Sequence, residues 1–100
     1  MTKIDLTDTT ILITGASSGI GKGLAQYLLK MGARVAVHYN SNKAAAKAIV
    51  ADHPKTAKEF QADLSHEASI FKLFESVERH FKKIDVVILN AGVFLQHAST

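Results

Sequence analysis

A cluster of glycines constrains this 100-residue chain more than any other feature of its sequence. Residues 10–14 are β-branched or apolar and stop at Gly15, which is typical of a buried strand. Beyond the cluster, apolar residues recur at helical spacing, and Gly32 stands where a helix C-cap glycine belongs. The members of the cluster are Gly15, Gly19, Gly21 and Gly23. The chain is therefore predicted to pass from a strand into a helix inside this cluster.

The remainder of the chain continues to alternate between strand and helix patterns. Further strands are predicted over residues 34–39, 56–62 and 84–90, with a helix before each one. Ser41 and Ser65 are expected to cap the second and third helices. The third helix carries one apolar stripe, formed by Ile70, Leu73, Phe74, Val77 and Phe81. Strands separated by helices pair in parallel through right-handed crossovers, so the fold is predicted to be doubly wound α/β.

Composition narrows the classes of protein to which the chain can belong. Apolar residues make up 47% of it and charged residues 21%, which fits one globular domain over residues 1–100 and not a disordered segment. The absence of cysteine excludes disulfides and thiolate metal sites, and it favours a cytoplasmic protein. Residues 1–10 contain Asp5 and Asp8 and no long apolar run, so we expect neither a secretory signal nor a membrane anchor.

Positive charge is concentrated in one part of the chain. Residues 9–51 contain no acidic residue, and their basic residues are Lys22, Lys30, Arg34, Lys43 and Lys47. These charges are spaced singly among small apolar residues, unlike the clustered charges of a nucleic-acid footprint, so no nucleic-acid partner is expected. Two interpretations stay open: ordinary solvated helix faces, or an anionic ligand bound near the glycines.

Three physical requirements explain glycines in a strand-to-helix turn that holds phosphate. The turn needs a permissive φ, the phosphates need close approach to the backbone, and the helix must pack closely on the sheet. Gly15, Gly19 and Gly21 can meet these requirements in turn. The N–H groups of the first helical turn and the helix dipole would then hold the phosphates. A nucleotide-hydrolysing P-loop is excluded, because the residue after Lys22 would have to be Ser or Thr and is Gly23.

Two motifs resemble the short-chain dehydrogenase/reductase family: Thr-Gly-Ala-Ser-Ser-Gly-Ile-Gly at residues 14–21, and Asn-Ala-Gly at residues 90–92. The resemblance runs from Leu6 to about Gly92 in family order. It implies a Rossmann-type doubly wound parallel sheet, here a partial one of about four strands in the order 3-2-1-4. The residues 1–100 would then be a dinucleotide-binding domain that stops before the catalytic half.

The same resemblance implies which residues bind the cofactor. On the pyrophosphate and ribose it places Gly15, Ser17, Ser18, Gly19 and Ile20. On the adenine it places Asp63 and Leu64, and beside the ribose, where they also brace the strand, Asn90, Ala91 and Gly92. Asp63 could instead cap the entry of the third helix, and Asn90 could be an ordinary strand-end turn residue.

The residues after the second predicted strand bear on the choice of cofactor. In dinucleotide folds an acidic residue roughly 20 positions beyond the glycine loop binds the ribose 2′-hydroxyl and repels a 2′-phosphate. That window holds His38, Tyr39, Asn40 and Ser41, of which Tyr39, Asn40 and Ser41 are predicted to contact the cofactor. Because the window lacks a carboxylate and Lys43 follows it, NADP(H) is favoured, with NAD(H) possible.

The resemblance implies an enzyme that transfers a hydride between NADP(H) and the carbonyl or alcohol carbon of a small-molecule substrate. Its catalytic serine, tyrosine and lysine are expected beyond this chain, with the lysine four residues after the tyrosine. Tyr39 and Lys43 have that spacing, but we reject them because Tyr39 ends a strand and Lys43 begins a helix. A non-catalytic NADP(H)-binding module is the alternative. A lyase or epimerase is disfavoured, because its loop would resemble TGxxGxxG.

The histidines and the last strand complete the expectations. No metal site is predicted, because the histidines lack ligand spacing and are interpreted as surface or strand-end residues. They are His38, His53, His66, His80 and His97. Residues 86–89 are aliphatic and would be exposed at a sheet edge, so we expect the isolated chain to be marginally stable or to self-associate, and we expect a homo-oligomer.

Overall fold

The computed structural model describes residues 4–90, and the parallel sheet predicted from the sequence is present. Its elements follow the order β1 (Thr10–Ile13), α1 (Gly19–Lys30), β2 (Arg34–Tyr39), α2 (Lys43–Asp52), β3 (Ala57–Gln61), α3 (Glu67–Phe81) and β4 (Val86–Ile88). All three strand pairs are parallel, and the strand order is β3-β2-β1-β4. The doubly wound fold and the order 3-2-1-4 are therefore confirmed.

Helices cover both faces of the sheet. Because side chains alternate along a strand, Ile11 and Ile13 of β1 face one side and Leu12 faces the other. On the first side, α1 and α2 contribute Ala25, Leu29, Ala46 and Ile49 to the core. On the second side, α3 contributes Leu73, Val77 and Phe81, which belong to the predicted apolar stripe. The two cores make the central strand β1 inaccessible to water, as its aliphatic sequence predicts.

The end of α1 confirms the predicted C-cap glycine. Gly32 has a φ of +97° and follows the C-cap residue Met31. Its N–H donates to the Leu29 carbonyl at 3.1 Å, and the Ala33 N–H donates to the Leu28 carbonyl at 3.2 Å. This pair of bonds is a Schellman motif, which satisfies carbonyl groups at the helix end and turns the chain toward β2.

The N-caps of the other two helices differ from the predictions. Asn42, and not Ser41, caps α2, because the Asn42 side chain accepts a hydrogen bond from the Ala45 N–H at 3.1 Å. The N-cap residue of α3 is His66, and its side chain makes no capping bond. Ser65 instead donates its hydroxyl and its N–H to Asp63, so the predicted cap at Ser65 is wrong.

The strand β4 lies at one end of the sheet and is shorter than predicted. Its residues Val86 and Val87 are 41% and 37% exposed, and Leu89 just beyond it is exposed as well. In the sheet formed by residues 4–90, β4 pairs with β1 alone. Apolar side chains and unpaired backbone groups on one strand favour association with another chain. Within the same residues, no helix has the length and apolarity needed to cross a lipid bilayer.

Val87→Lys is expected to weaken self-association of the 100-residue chain, since a charge on an edge strand opposes strand pairing. Sedimentation velocity over a range of concentrations should show a concentration-dependent dimer or larger species for the wild type and a shift toward monomer for V87K. Tyr27→Lys, which removes an exposed aromatic side chain on α1, serves as the control and should sediment like the wild type. A wild type that is a stable monomer at all concentrations would contradict this prediction.

Candidate functional site

The carboxyl ends of all four strands meet at one edge of the sheet, and the polar residues predicted to bind a ligand follow those ends. Asn40 comes just after β2, whereas Gly15, Asp63 and Asn90 each come two residues after the end of a strand, β1, β3 and β4 in turn. In an open parallel sheet, ligands bind outside this edge, at the point where the strand order reverses. Here the reversal lies at β1, since β2 is on one side of it and β4 on the other.

The turn from β1 to α1 depends on glycine at two positive φ angles. Gly15 has a φ of +63° and Gly19 a φ of +57°, a region of backbone conformation that other residues rarely adopt. A Cβ placed on Gly19 would meet no heavy atom within 4 Å. The backbone at Gly19 is therefore open on that side, as a ligand that approaches the chain closely would require.

Gly21 marks the closest approach between α1 and the turn. An ideal Cβ at this position would lie 2.4 Å from the Gly15 carbonyl oxygen and 2.4 Å from Asn90 Nδ2. It would also lie 3.1 Å from the Cα of Ala16. Backbone atoms contribute two of these contacts and cannot swing away, so only glycine allows the helix to sit this close to the sheet. The predicted role of Gly21 in close packing fits this geometry.

The first turn of α1 presents backbone donors to the carboxyl edge. The N–H groups of residues 19–21 precede the first i to i−4 bond, which the Lys22 N–H makes to the Ser18 carbonyl at 3.2 Å. Ser18 is the N-cap residue, yet its side chain makes no capping hydrogen bond, and the first turn has no acidic residue. The positive end of the helix dipole is thus available to an anion. Ile20, in the same turn, is 82% exposed.

Asn90 joins the turn to the strand on its other side. Its side-chain Nδ2 donates to the Gly15 carbonyl at 3.3 Å, and its backbone N–H donates to Thr14 Oγ1 at 2.9 Å. The Thr14 N–H in turn donates to the Ile88 carbonyl at 3.0 Å. Asn90 therefore braces the ends of β1 and β4 together. Ala91 and Gly92, which were predicted beside it, lie outside the described residues.

His38 joins the turn to the strands on the opposite side, and sequence reasoning missed this role. It lies in β2 and is 3% exposed. The Gly15 N–H donates to His38 Nδ1 at 2.9 Å, and His38 Nε2 lies 2.9 Å from the Ala62 carbonyl oxygen. A signal was available, because the alternation in β2 places His38 on the same buried face as Ala36, where a polar side chain needs partners.

Asp63 has a more local set of contacts than its predicted role requires. Its Oδ1 accepts hydrogen bonds from the Ser65 hydroxyl at 2.6 Å and from the Ser65 N–H at 3.0 Å. These bonds hold the pKa of Asp63 below its ordinary value, so the carboxylate is ionised at neutral pH. Asp63 Oδ2 lies 3.4 Å from His66 Nε2. Leu64, the next residue, packs against the core on the α3 side of the sheet.

The end of β2 divides into a buried and an exposed part. Tyr39 is buried in the core between the sheet and α1 and α2, whereas Asn40 and Ser41 are exposed. The Asn40 carbonyl accepts a hydrogen bond from Gln61 Nε2 at 3.0 Å, which fixes the backbone here. Lys43 opens α2 at the same edge and is exposed. Tyr39 and Lys43 thus belong to a strand end and a helix start, as predicted.

The basic residues of this part of the chain do not all lie at the candidate site. Arg34 begins β2, at the amino edge of the sheet, and forms an ion pair with Asp8. Lys47 lies 3.6 Å from Glu59 Oε2. Lys30 is in the last turn of α1, also away from the carboxyl edge. The cations at the carboxyl edge are those on the first turns of α1 and α2, Lys22 and Lys43.

Gly21→Ala and Gly23→Ala are expected to change stability in opposite directions. The new methyl group of G21A would collide with the Gly15 carbonyl and the Asn90 side chain, so we expect a loss of roughly 1–3 kcal/mol in the free energy of unfolding. G23A adds its methyl group to open space inside the helix and should gain about 0.5–1 kcal/mol. Urea unfolding followed by circular dichroism measures both. Equal stability of the two variants would show that α1 does not approach the turn this closely.

Comparison with known proteins agrees with this geometry. A family model described as short chain dehydrogenase matches residues 9–100. The chain is 41% identical over 90 residues to the hydroxynaphthalene reductase-like protein Arp2 of Metarhizium robertsii, an alignment that covers 87% of this chain and 34% of that protein. The chain therefore spans about a third of the length of this relative.

Solved structures give the same result. A Burkholderia cenocepacia protein assigned as a dehydrogenase and solved with bound NADP superimposes with a TM-score of 0.78 at 37% identity, over 89% of this chain and 36% of that one. The 3-ketoacyl-(acyl-carrier-protein) reductase of Brucella melitensis, complexed with NADH, superimposes with a TM-score of 0.77 at 34% identity, over 83% of this chain and 34% of that one. The chain belongs to the short-chain dehydrogenase family.

Proposed function

We propose that this chain is the cofactor-binding part of an oxidoreductase that transfers a hydride between NADP(H) and the carbonyl or alcohol carbon of a small-molecule substrate. One observation carries the proposal: the first turn of α1 directs its backbone N–H groups to the carboxyl edge of the sheet, and within that helical turn Gly21 lies so close to Gly15 that it admits no side chain. Relatives of the same family that are named as reductases support the type of reaction.

The diphosphate of the dinucleotide fits the glycine turn. The N–H groups of residues 19–21 supply donors, and the open backbone at Gly19 allows the phosphate oxygens to come close. Ser17 and Ser18 lie at the end of the same turn, next to α1; Ser17 is buried and Ser18 is exposed, so the Ser18 hydroxyl is the more accessible further donor. Ile20 is apolar and exposed, so its side chain can cover an apolar part of the bound dinucleotide.

The adenosine half fits the ends of the next two strands. Asp63 is ionised and partly exposed, so it can accept a hydrogen bond from the adenine amino group, with Leu64 beside it. On the other side of the turn, Asn90 and the two residues that follow it, Ala91 and Gly92, are proposed to flank the ribose. Asn40 and Ser41, which follow β2 and are exposed, are proposed to surround the adenosine ribose, and Tyr39 before them is proposed to contribute through its backbone, because its side chain is buried in the core.

The charge at the end of β2 favours NADP(H) over NAD(H). Asn40 and Ser41 are exposed and uncharged, and Lys43 stands at the start of α2. A ribose 2′-phosphate in this position would find hydrogen-bond donors and one cation, and no described carboxylate in the window after β2 to repel it. NAD(H) lacks the 2′-phosphate and gains nothing from Lys43, so it is proposed as the weaker ligand.

When it is bound, the cofactor would donate or accept the hydride, and this chain supplies only the groups that bind and orient the cofactor. The described residues are proposed to hold the diphosphate and to position the adenosine. They are also proposed to set the direction in which the nicotinamide extends from the carboxyl edge of the sheet. The residues that would polarise the substrate and transfer its proton are proposed to lie in the parent protein beyond residue 100. A Tyr-x-x-x-Lys pair in that continuation would favour catalysis over a module that binds the cofactor without turnover.

Direct titration tests the proposed site. The 100-residue chain is expected to bind NADPH more tightly than NADH, because the 2′-phosphate meets Lys43 and the hydroxyl of Ser41. The increase of reduced-nicotinamide fluorescence on binding gives both dissociation constants. Raising the salt concentration from about 0.05 M to about 0.5 M should weaken NADPH more than NADH, since exposed charges are screened. Tighter binding of NADH would contradict the preference, and binding of neither would contradict the site.

Asn40→Asp tests the origin of the preference. A carboxylate here should repel the 2′-phosphate and weaken NADPH about tenfold or more, while NADH binds equally well or better. The backbone at residue 40 should stay in place, because Gln61 bonds to its carbonyl and not to its side chain. Lys55→Gln makes the same change in net charge at the amino edge, before β3, and should leave the ratio of the two dissociation constants unaltered. An unaltered ratio in N40D would place the 2′-phosphate elsewhere.

A further inference from the structure

His38 is a buried titratable residue for which the proposed function gives no role. It is the penultimate residue of β2, and the Ala62 carbonyl can only accept a hydrogen bond, so Nε2 of His38 must carry a proton. The Gly15 N–H can only donate, so Nδ1 must be without one. The two contacts, each 2.9 Å long, therefore select one neutral tautomer of the imidazole.

The backbone of the same residue holds the next amide of the turn. The Ala16 N–H donates to the His38 carbonyl at 3.0 Å. Gly15 and Ala16 are thus both oriented by His38, one through its side chain and one through its main chain. Gly15 has a positive φ and lies four residues before the start of α1. The orientation of its peptide groups therefore affects where the first N–H groups of α1 point.

We infer that His38 is a positioning residue, which holds the Gly15 amide so that the turn keeps the conformation that receives the diphosphate. The inference rests on the proposed function for the identity of the ligand. The second ring contact of His38, to the Ala62 carbonyl, also positions the adenine end of the site, because Ala62 directly precedes Asp63, the residue proposed to bind adenine. One side chain thereby fixes the spacing between the two halves of the dinucleotide site.

Protonation of His38 would abolish the contact to Gly15, because both ring nitrogens would then be donors. Burial lowers the pKa of His38 below its ordinary value, and the bond to the Ala62 carbonyl opposes this shift. The unfolded chain therefore takes up the proton first as the pH falls. The stability that this contact provides is complete above the ordinary pKa of histidine and is lost as the pH falls toward the lower pKa of the folded state.

Other titratable groups near His38 are few among the described residues. Residues 14–21 contain none, and Phe60 is its partner in the register of β3. The helix α3 turns the apolar residues Leu73, Val77 and Phe81 toward this face of the sheet, and the ring of its His80 lies 6.1 Å from the ring of Phe60. Beyond Ala62 stand Asp63 and His66, which lie 3.4 Å apart, so substitutions of His66 and His80 serve as controls for His38. Lys58 and Glu59 are on the neighbouring strand β3, and Tyr39 follows His38 on β2 itself.

Two substitutions divide the contacts of His38. Asparagine at this position carries its oxygen where Nδ1 stands and can still accept from Gly15, whereas glutamine carries its amide nitrogen near Nε2 and can still donate to Ala62. His38→Gln is expected to weaken NADPH binding about tenfold, because the Gly15 N–H loses its buried partner. His38→Asn keeps that partner and is expected to weaken NADPH binding only about twofold. Each variant loses one of the two ring contacts. If His38 only stabilised the fold, the two variants would therefore show a similar loss of NADPH binding.

The pH dependence of binding supplies the second measurement. Wild-type affinity for NADH, which has no 2′-phosphate of its own to titrate, is expected to fall as the pH drops below the ordinary pKa of histidine and His38 becomes protonated. H38N should lose this dependence, while His66→Asn and His80→Asn should keep it. Imidazole ¹⁵N spectra of the wild type at neutral pH should show the tautomer with the proton on Nε2, and the Gly15 amide shift should titrate together with the His38 ring.

Each outcome decides between the alternatives. Wild-type affinity in H38Q, equal loss in H38N and H38Q, or a pH dependence that is lost in the His66 or the His80 variant would overturn the positioning role and leave the proposed function intact. If the wild type binds neither NADPH nor NADH, the proposed function fails, and the imidazole tautomer and the Gly15 titration still decide whether His38 holds the turn.

Discussion

The close approach of α1 to the end of β1 is the constraint on which the rest of the structure depends. At residue 21 the helix touches the Gly15 carbonyl and the Asn90 side chain so closely that a single methyl group would not fit. This contact fixes the helix N-terminus over the carboxyl edge of the sheet. The apolar residues of α1, among them Ala25 and Leu29, can then pack on Ile11 and Ile13. The position of the α1 N-terminus and the packing of α1 on β1 thus both depend on the absence of a side chain at Gly21.

Both polar groups of Gly15 are bound by side chains from the neighbouring strands. Its N–H donates to His38 of β2, and its carbonyl accepts from Asn90, which follows β4. The order β2-β1-β4 places these partners on opposite sides of the turn. A glycine with a positive φ has little conformational preference of its own, so the two partners supply the restraint that the residue lacks. The turn is therefore determined by the strand order as much as by the glycines.

The sequence predicted the parts of the structure that depend on local pattern. The strand before Gly15, the C-cap at Gly32 and the stripe on α3 are readable because each is decided by residues a few positions apart. The caps at Ser41 and Ser65 were wrong by one residue each, since neighbouring polar residues are all chemically able to cap and the choice depends on the angle at which the chain leaves the strand. The role of His38 was missed because its side-chain partners lie 23 and 24 residues away and become neighbours only in the sheet.

The distribution of charge supports the proposal that backbone groups, and not the excess of lysine and arginine, hold the anion. Of the basic residues between Thr9 and Ala51, Arg34 and Lys47 have acidic partners, and Lys30 lies at the far end of α1. The amides of residues 19–21 are held in place by the fold, so no side-chain conformational entropy is lost when they bind a ligand. In the proposed function, affinity for the diphosphate follows from the turn itself. The choice between two dinucleotides is proposed to depend on exposed side chains such as Asn40, which evolution can exchange without disturbing the turn.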